Sequence, residues 1–101
     1  MGNNLKFYID GEWIEPNNPQ SLDVINPADE SVVGQIAMGD ATDVDKAVAA
    51  ARKAFVSFSQ TSREERVAIL EAIQEGYKAR YGEMVETISN EMGAPMWLCK
   101  A

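Results

Sequence analysis

Cys99 is the single thiol of the 101-residue chain, and the chain has no histidine. Together these facts bound the covalent chemistry open to it. A catalytic cysteine is held partly as thiolate, which takes a neighbouring imidazolium, a set of cations or a helix N-terminus. Cys99 lies in Pro95-Met96-Trp97-Leu98-Cys99-Lys100, among apolar neighbours. On a helix its one adjacent cation, Lys100, projects about 100° away. Cys99 therefore reads as a structural thiol. The missing histidines remove the usual zinc sets and any histidine-dependent triad, and one cysteine excludes an internal disulfide framework. A small enzyme pairing Cys99 with a carboxylate base lacks a second element to support its site.

Two other side chains invite a functional reading, and each has a structural one that outweighs it. Trp13 could stack on a ligand but sits where a packing residue is expected. Asn26 could bind a ligand, yet an Asn before proline closes turns on its own backbone.

Charge excludes whole classes of partner. Nine basic and sixteen acidic residues give a net charge of −7. Nucleic acid and anionic membranes are repelled, and no Lys/Arg cluster is dense enough to reverse this. The chain has no run of 18 apolar residues, no hydrophobic leader, and Lys6 where a myristoylation signal carries Ser or Thr, so cytoplasm is the expected location.

The elements that position these residues centre on 62–95. Val67, Leu70, Ile73, Tyr77, Tyr81, Met84, Ile88 and Met92 recur at steps of three and four, one apolar stripe along a single long helix. Ser62 with Glu65 forms a capping box at its start; Gly93 and Pro95 end it. Thirty residues at 1.5 Å give roughly 45 Å, against about 33 Å for a compact globule of this length. Such a helix outruns its domain, and the 61 preceding residues are too few to cover its stripe. The chain thus reads as part of something larger. Gly76 and Gly82 permit a bend or a close neighbour.

Ahead of that helix, Phe7-Tyr8-Ile9-Asp10-Gly11-Glu12-Trp13-Ile14 predicts a two-residue hairpin, with Tyr8 opposite Trp13 and Phe7 opposite Ile14. Both its faces are apolar, and a lone ribbon is marginal in water, so it must lie against something. Residues 15–21 are a loop. Leu22–Ile25 and 31–37 are two further strands joined by Asn26-Pro27-Ala28-Asp29-Glu30, which Pro27 bends sharply. A slim helix rich in alanine follows, with Thr42 as the expected N-cap, Asp43 and Asp45 in its first turn, and Val44, Val48, Ala51, Phe55 and Phe58 on one face. A third helix begins at Ala94. The order is β-β-β-β-α-α: two β-hairpins followed by two long helices, with no internal domain boundary.

The succession FYIDGEWI, DVINPADESVVGQIAMGDATDVDKAVAAARKAF, SREERVAIL and ISNEMGAP resembles the amino-terminal segment of the NAD(P)-dependent aldehyde dehydrogenase superfamily, over nearly the whole chain. No piece is diagnostic alone; their order and gaps are. The family usually has Gly-Glu in the corner where Asp29-Glu30 stand, and often Trp where Phe58 stands. The resemblance implies an α/β parent in which residues 1–101 contribute to a Rossmann-like cofactor-binding domain. It implies NAD or NADP as cofactor, a small-molecule aldehyde substrate, and a homodimer or homotetramer. A cysteine thiolate would capture the aldehyde, hydride would pass from the hemithioacetal to NAD(P), and water activated by a glutamate would release the acid. The family's nucleophile, glutamate, oxyanion asparagine and cofactor glycines match no position in this chain, so the segment is structural. The resemblance also implies a Na⁺ or K⁺ ion held by the backbone carbonyls of Val24 and Ile25 and by Glu91. Oxygen ligands suit a hard cation, and a helix C-terminus favours it. The competing view is an autonomous acidic α+β protein-binding module that offers its long helix to a partner's groove.

Overall fold

The structure, a computed structural model, describes residues 2–101. Strand β1 (Phe7–Ile9) pairs antiparallel with β2 (Glu12–Ile14), in the register Phe7 to Ile14, Tyr8 to Trp13 and Ile9 to Glu12. Asp10 at φ 52° and Gly11 at φ 82° make the turn, both left-handed as a two-residue primed turn requires. The Tyr8 and Trp13 rings meet at 5.2 Å, tilted by 57°. On the other face Phe7 finds the support a lone ribbon lacks. Its ring lies so close to Gly39 that a Cβ there would stand 3.2 Å from it.

β3 (Gln20–Ile25) and β4 (Val32–Met38) form a second two-stranded sheet. Gln35 on β4 donates to the Asp23 carboxylate on β3 at 2.7 Å. The corner between them is closed by side chains as much as by backbone. The Asn26 amide oxygen accepts from the Ala28 N–H at 2.9 Å, the turn-closing role expected of it. Asp29 accepts from both the backbone N–H and the hydroxyl of Ser31, which holds its carboxyl below the ordinary value. Glu30 sits at φ 62°, a left-handed position that costs a residue with a Cβ about 1 kcal/mol.

Helix α1 (Ala41–Phe58) starts two residues earlier than expected. Its N-cap is Asp40 and not Thr42: Asp40 and Asp43 form the capping box, which places Thr42 inside the first turn. The long helix is also two. α2 (Arg63–Ala79) and α3 (Tyr81–Met92) are separated at Arg80, whose φ of −112° and ψ of 16° leave the helical region. Gly76 and Gly82 flank the break and weaken the helix on both sides, while the Arg80 N–H turns to the Tyr77 carbonyl at 3.1 Å. A Cβ on either glycine would meet open space, so they serve the bend and not a close neighbour. At about 25 Å and 18 Å, neither helix outruns a small domain. Gly93 at φ 66° caps α3 as expected, and α4 (Met96–Cys99) begins after Pro95, two residues later than Ala94.

The described residues form two compact units: one from residues up to Val24 and from Val32–Ser59, the other from Ile25–Ser31 and Gln60–Ala101. Burial is sparse in both. Among the described residues the buried apolar ones are Pro16 and Val85, and the one buried charge is Asp43. No residue of α2 is buried. Among the described residues no helix is long and apolar enough to cross a membrane.

Candidate functional site

A polar cluster of the first unit stands where the 15–19 loop meets the start of α1. Asp43 is 4 % exposed, and its carboxylate accepts from the Asn17 N–H at 2.9 Å and the Asp40 N–H at 3.1 Å. Asp40 in turn accepts from the Asp43 N–H and from the Asn17 side-chain amide, at 3.1 and 3.0 Å. The Asn17 bond, then the backbone bond from Asp43, holds the Asp40 carboxyl below its ordinary value. Every buried oxygen here has a donor, so the cluster anchors a loop to a helix and leaves nothing for a ligand. Its one sequence signal was an Asp three residues from an Asp, an acidic version of the capping box. Asn17 gave none, since its partners lie 23 and 26 positions away.

The β4–α1 turn is a strand-to-helix connection of the kind that cradles nucleotide pyrophosphates elsewhere. Here the helix N-terminus is already filled by two carboxylates, which repel such a group. The residues present do not fit a dinucleotide at this turn.

In the second unit the corner and the end of α3 meet. A Cβ on Gly93 would lie 2.8 Å from the Ala28 backbone nitrogen and 3.1 Å from Pro27. Contact this close brings the chain just after Ile25 against the helix end that carries Glu91. Ile25 and Glu91 share this unit, whereas Val24 belongs to the other. Glu91 is exposed and makes no ion pair among the described residues.

Cys99 is half-buried, and its thiol points at the Ala94 carbonyl, 3.6 Å away. Ser89 donates to the same oxygen at 2.9 Å, and the Tyr81 hydroxyl donates to the Lys100 carbonyl at 2.6 Å. These contacts tie α4 to α3. With Tyr77, Ile88, Met92 and Leu98, Cys99 lines an apolar groove of about 490 Å³ whose lining includes no acidic or basic side chain to activate it.

The family model for the aldehyde dehydrogenase family matches residues 13–101. The chain belongs to the aldehyde dehydrogenase family. A Staphylococcus aureus member is 46 % identical over 98 residues, which are 97 % of this chain but 21 % of that protein. The crystal structure of an aldehyde dehydrogenase from Bartonella henselae superposes with a TM-score of 0.93 at 44 % identity, covering 98 % of this chain and 21 % of that one. Aldehyde dehydrogenase C from Pseudomonas syringae, crystallised as a cysteine-to-alanine mutant with NAD⁺ and octanal, gives 0.94 at 47 % identity, over 98 % and 20 %. This chain therefore spans about a fifth of the length of its aldehyde dehydrogenase relatives. Its two hairpins and helices reproduce their amino-terminal region.

Proposed function

We propose that residues 1–101 are the amino-terminal, structural portion of the cofactor-binding domain of an enzyme that oxidises an aldehyde to a carboxylic acid. NAD or NADP accepts the hydride, and a cysteine outside these residues captures the aldehyde. The observation that carries this reading is the backbone match, at 47 % identity, to an enzyme crystallised with NAD⁺ and octanal. The altered cysteine of that crystal form supports covalent capture. What these residues contribute is shape: the Phe7 face packs on Gly39, the Asp40–Asp43 box fixes α1, and the corner locks on Gly93.

The test is a chimera in which this chain replaces the matching fifth of the Pseudomonas syringae enzyme. It should produce NADH from octanal, while the 101-residue chain alone should not. In the chimera Cys99→Ser should keep most of the rate, since its thiol contacts one carbonyl and no reacting group. A fall of several orders of magnitude with folding intact would assign the chemistry to the wrong cysteine.

Of the expected cation ligands Val24, Ile25 and Glu91, the two that share the second unit carry a proposal: we also infer a Na⁺ or K⁺ ion on Glu91 and the Ile25 carbonyl. Supporting it are an exposed carboxylate without an ion pair, the carbonyl end of α3, and the corner that sets the chain after Ile25 against that end. In the chimera, Glu91→Gln should lower the melting temperature in sodium or potassium buffer and leave it unchanged with a bulky organic cation. Equal loss in both would remove the ion.

A further inference from the structure

The turn of the first hairpin holds two residues that can react with each other. Asp10-Gly11 is the one place in the chain where an aspartate or asparagine precedes a glycine. The other five aspartates precede Val24, Glu30, Ala41, Val44 and Lys46, whose side chains crowd the backbone nitrogen that a glycine leaves open. Asp10 and Gly11 are exposed, and even a Cβ built on Gly11 would meet nothing within 4 Å. The strands behind them have three residues each, and so short a ribbon opens readily. What restrains Asp10 comes from far along the chain: its Oδ2 accepts from Lys53 Nζ on α1 at 3.1 Å.

We propose that Asp10-Gly11 is a site of spontaneous covalent modification, at which Asp10 becomes isoaspartate and Lys53 acts as the brake. The Gly11 nitrogen attacks Asp10 Cγ. The N–Cγ bond forms, one Cγ–O bond breaks, and that oxygen leaves as water with the amide proton and a proton from solvent. Water then adds to the five-membered imide. Opening at Cγ restores Asp10; opening at the Asp10 carbonyl carbon leaves the main chain running through Cβ and Cγ beside a free α-carboxylate, and a proton returns to solvent. No oxidant or reductant takes part, and mass and charge are unchanged. A carboxylate bonded to Lys53 must let go before its carbon can reach the nitrogen, so the ion pair slows ring closure. The product has one atom more in the backbone of a two-residue turn, which then no longer sets Tyr8 opposite Trp13.

The test is ageing of the 101-residue chain at neutral pH and body temperature. Isoaspartate is counted with a carboxyl methyltransferase specific for it and located by fragmentation of the proteolytic peptides. It should gather at Asp10 and at none of the other five aspartates. Lys53→Met keeps the aliphatic stem and should speed the change about two- to threefold, the modest effect of an ion pair whose side chains are 75 % and 60 % exposed. Molar salt should bring the unaltered chain to the same rate with no substitution at all. Gly11→Asn, which tolerates the left-handed turn, should slow the change about tenfold. Both substituted positions are exposed, so circular dichroism should show the variants folded as the parent chain is. Isoaspartate spread over the other aspartates, or none at Asp10, would overturn the proposal. A rate moved neither by Lys53→Met nor by salt would overturn Lys53 as the brake, and a Gly11→Asn chain that ages as fast as the parent would overturn the route through the Gly11 nitrogen.

Discussion

Two helices of this chain begin with the same device and use it differently. At α2, Ser62 accepts from the Glu65 N–H at 3.1 Å, and Glu65 accepts from the Ser62 N–H at 2.6 Å. At α1, Asp40 and Asp43 exchange equivalent bonds. The α2 box is exposed and closes on itself. The α1 box is buried at Asp43, and Asn17 is bonded to both of its carboxylates. One box stops a helix fraying; the other also fixes where a loop crosses the helix start. Local sequence builds either box, but only contacts from distant residues turn one into an anchor.

Positions can be ordered by how much of each kind of constraint they carry. Gly93 carries both, since it caps α3 in a left-handed conformation and has the Ala28 nitrogen 2.8 Å from where a Cβ would stand. Gly93→Ala should be the most damaging change, costing about 3–4 kcal/mol from left-handed strain plus a backbone clash. The urea midpoint of the chain, followed by helical circular dichroism, measures it. Loss below about 1 kcal/mol would mean the corner yields freely.

Next comes the buried box. Asp43→Ala strands the N–H groups of Asn17 and Asp40 and should cost about 2–3 kcal/mol by the same measurement. At the exposed box, Ser62→Ala should cost about 1 kcal/mol. Equal losses at the two would erase the distinction between anchor and cap.

Acid should give the smallest and most selective difference. The Asp40 carboxyl lies below its ordinary value of 3.8, first through the Asn17 amide; Glu65 lies below 4.5, first through the Ser62 N–H. A depressed folded-state value means stability that is present above the ordinary value and lost as pH falls through the lower, folded one. Helicity should therefore fall below about pH 4 at both helix starts. Asn17→Ala should raise the Asp40 titration midpoint, read by NMR of the carboxyl carbon, and leave that of Glu65 in place. Movement of both, or of neither, would deny Asn17 its part.

What the sequence alone determined is local. Asp10-Gly11 specified a turn with positive φ at both residues and with it the Tyr8–Trp13 register. Ser62 with Glu65, Gly93, and Asn26 before Pro27 each act on backbone within four residues of themselves. The order of such pieces carried the family, because order and gaps survive where single motifs are common. Tertiary structure decided the rest. Asn17 on Asp40 and Asp43, Phe7 on Gly39 and Ala28 on Gly93 join residues between 23 and 65 positions apart, and no spacing rule reaches that far. The break at Arg80 was hidden for a related reason. An apolar stripe at helical spacing reads the same through a one-residue interruption, since Tyr77 and Tyr81 keep their contact across it. Periodicity records which side chains share a face; whether the backbone beneath them stays hydrogen-bonded is settled by φ and ψ at a single residue.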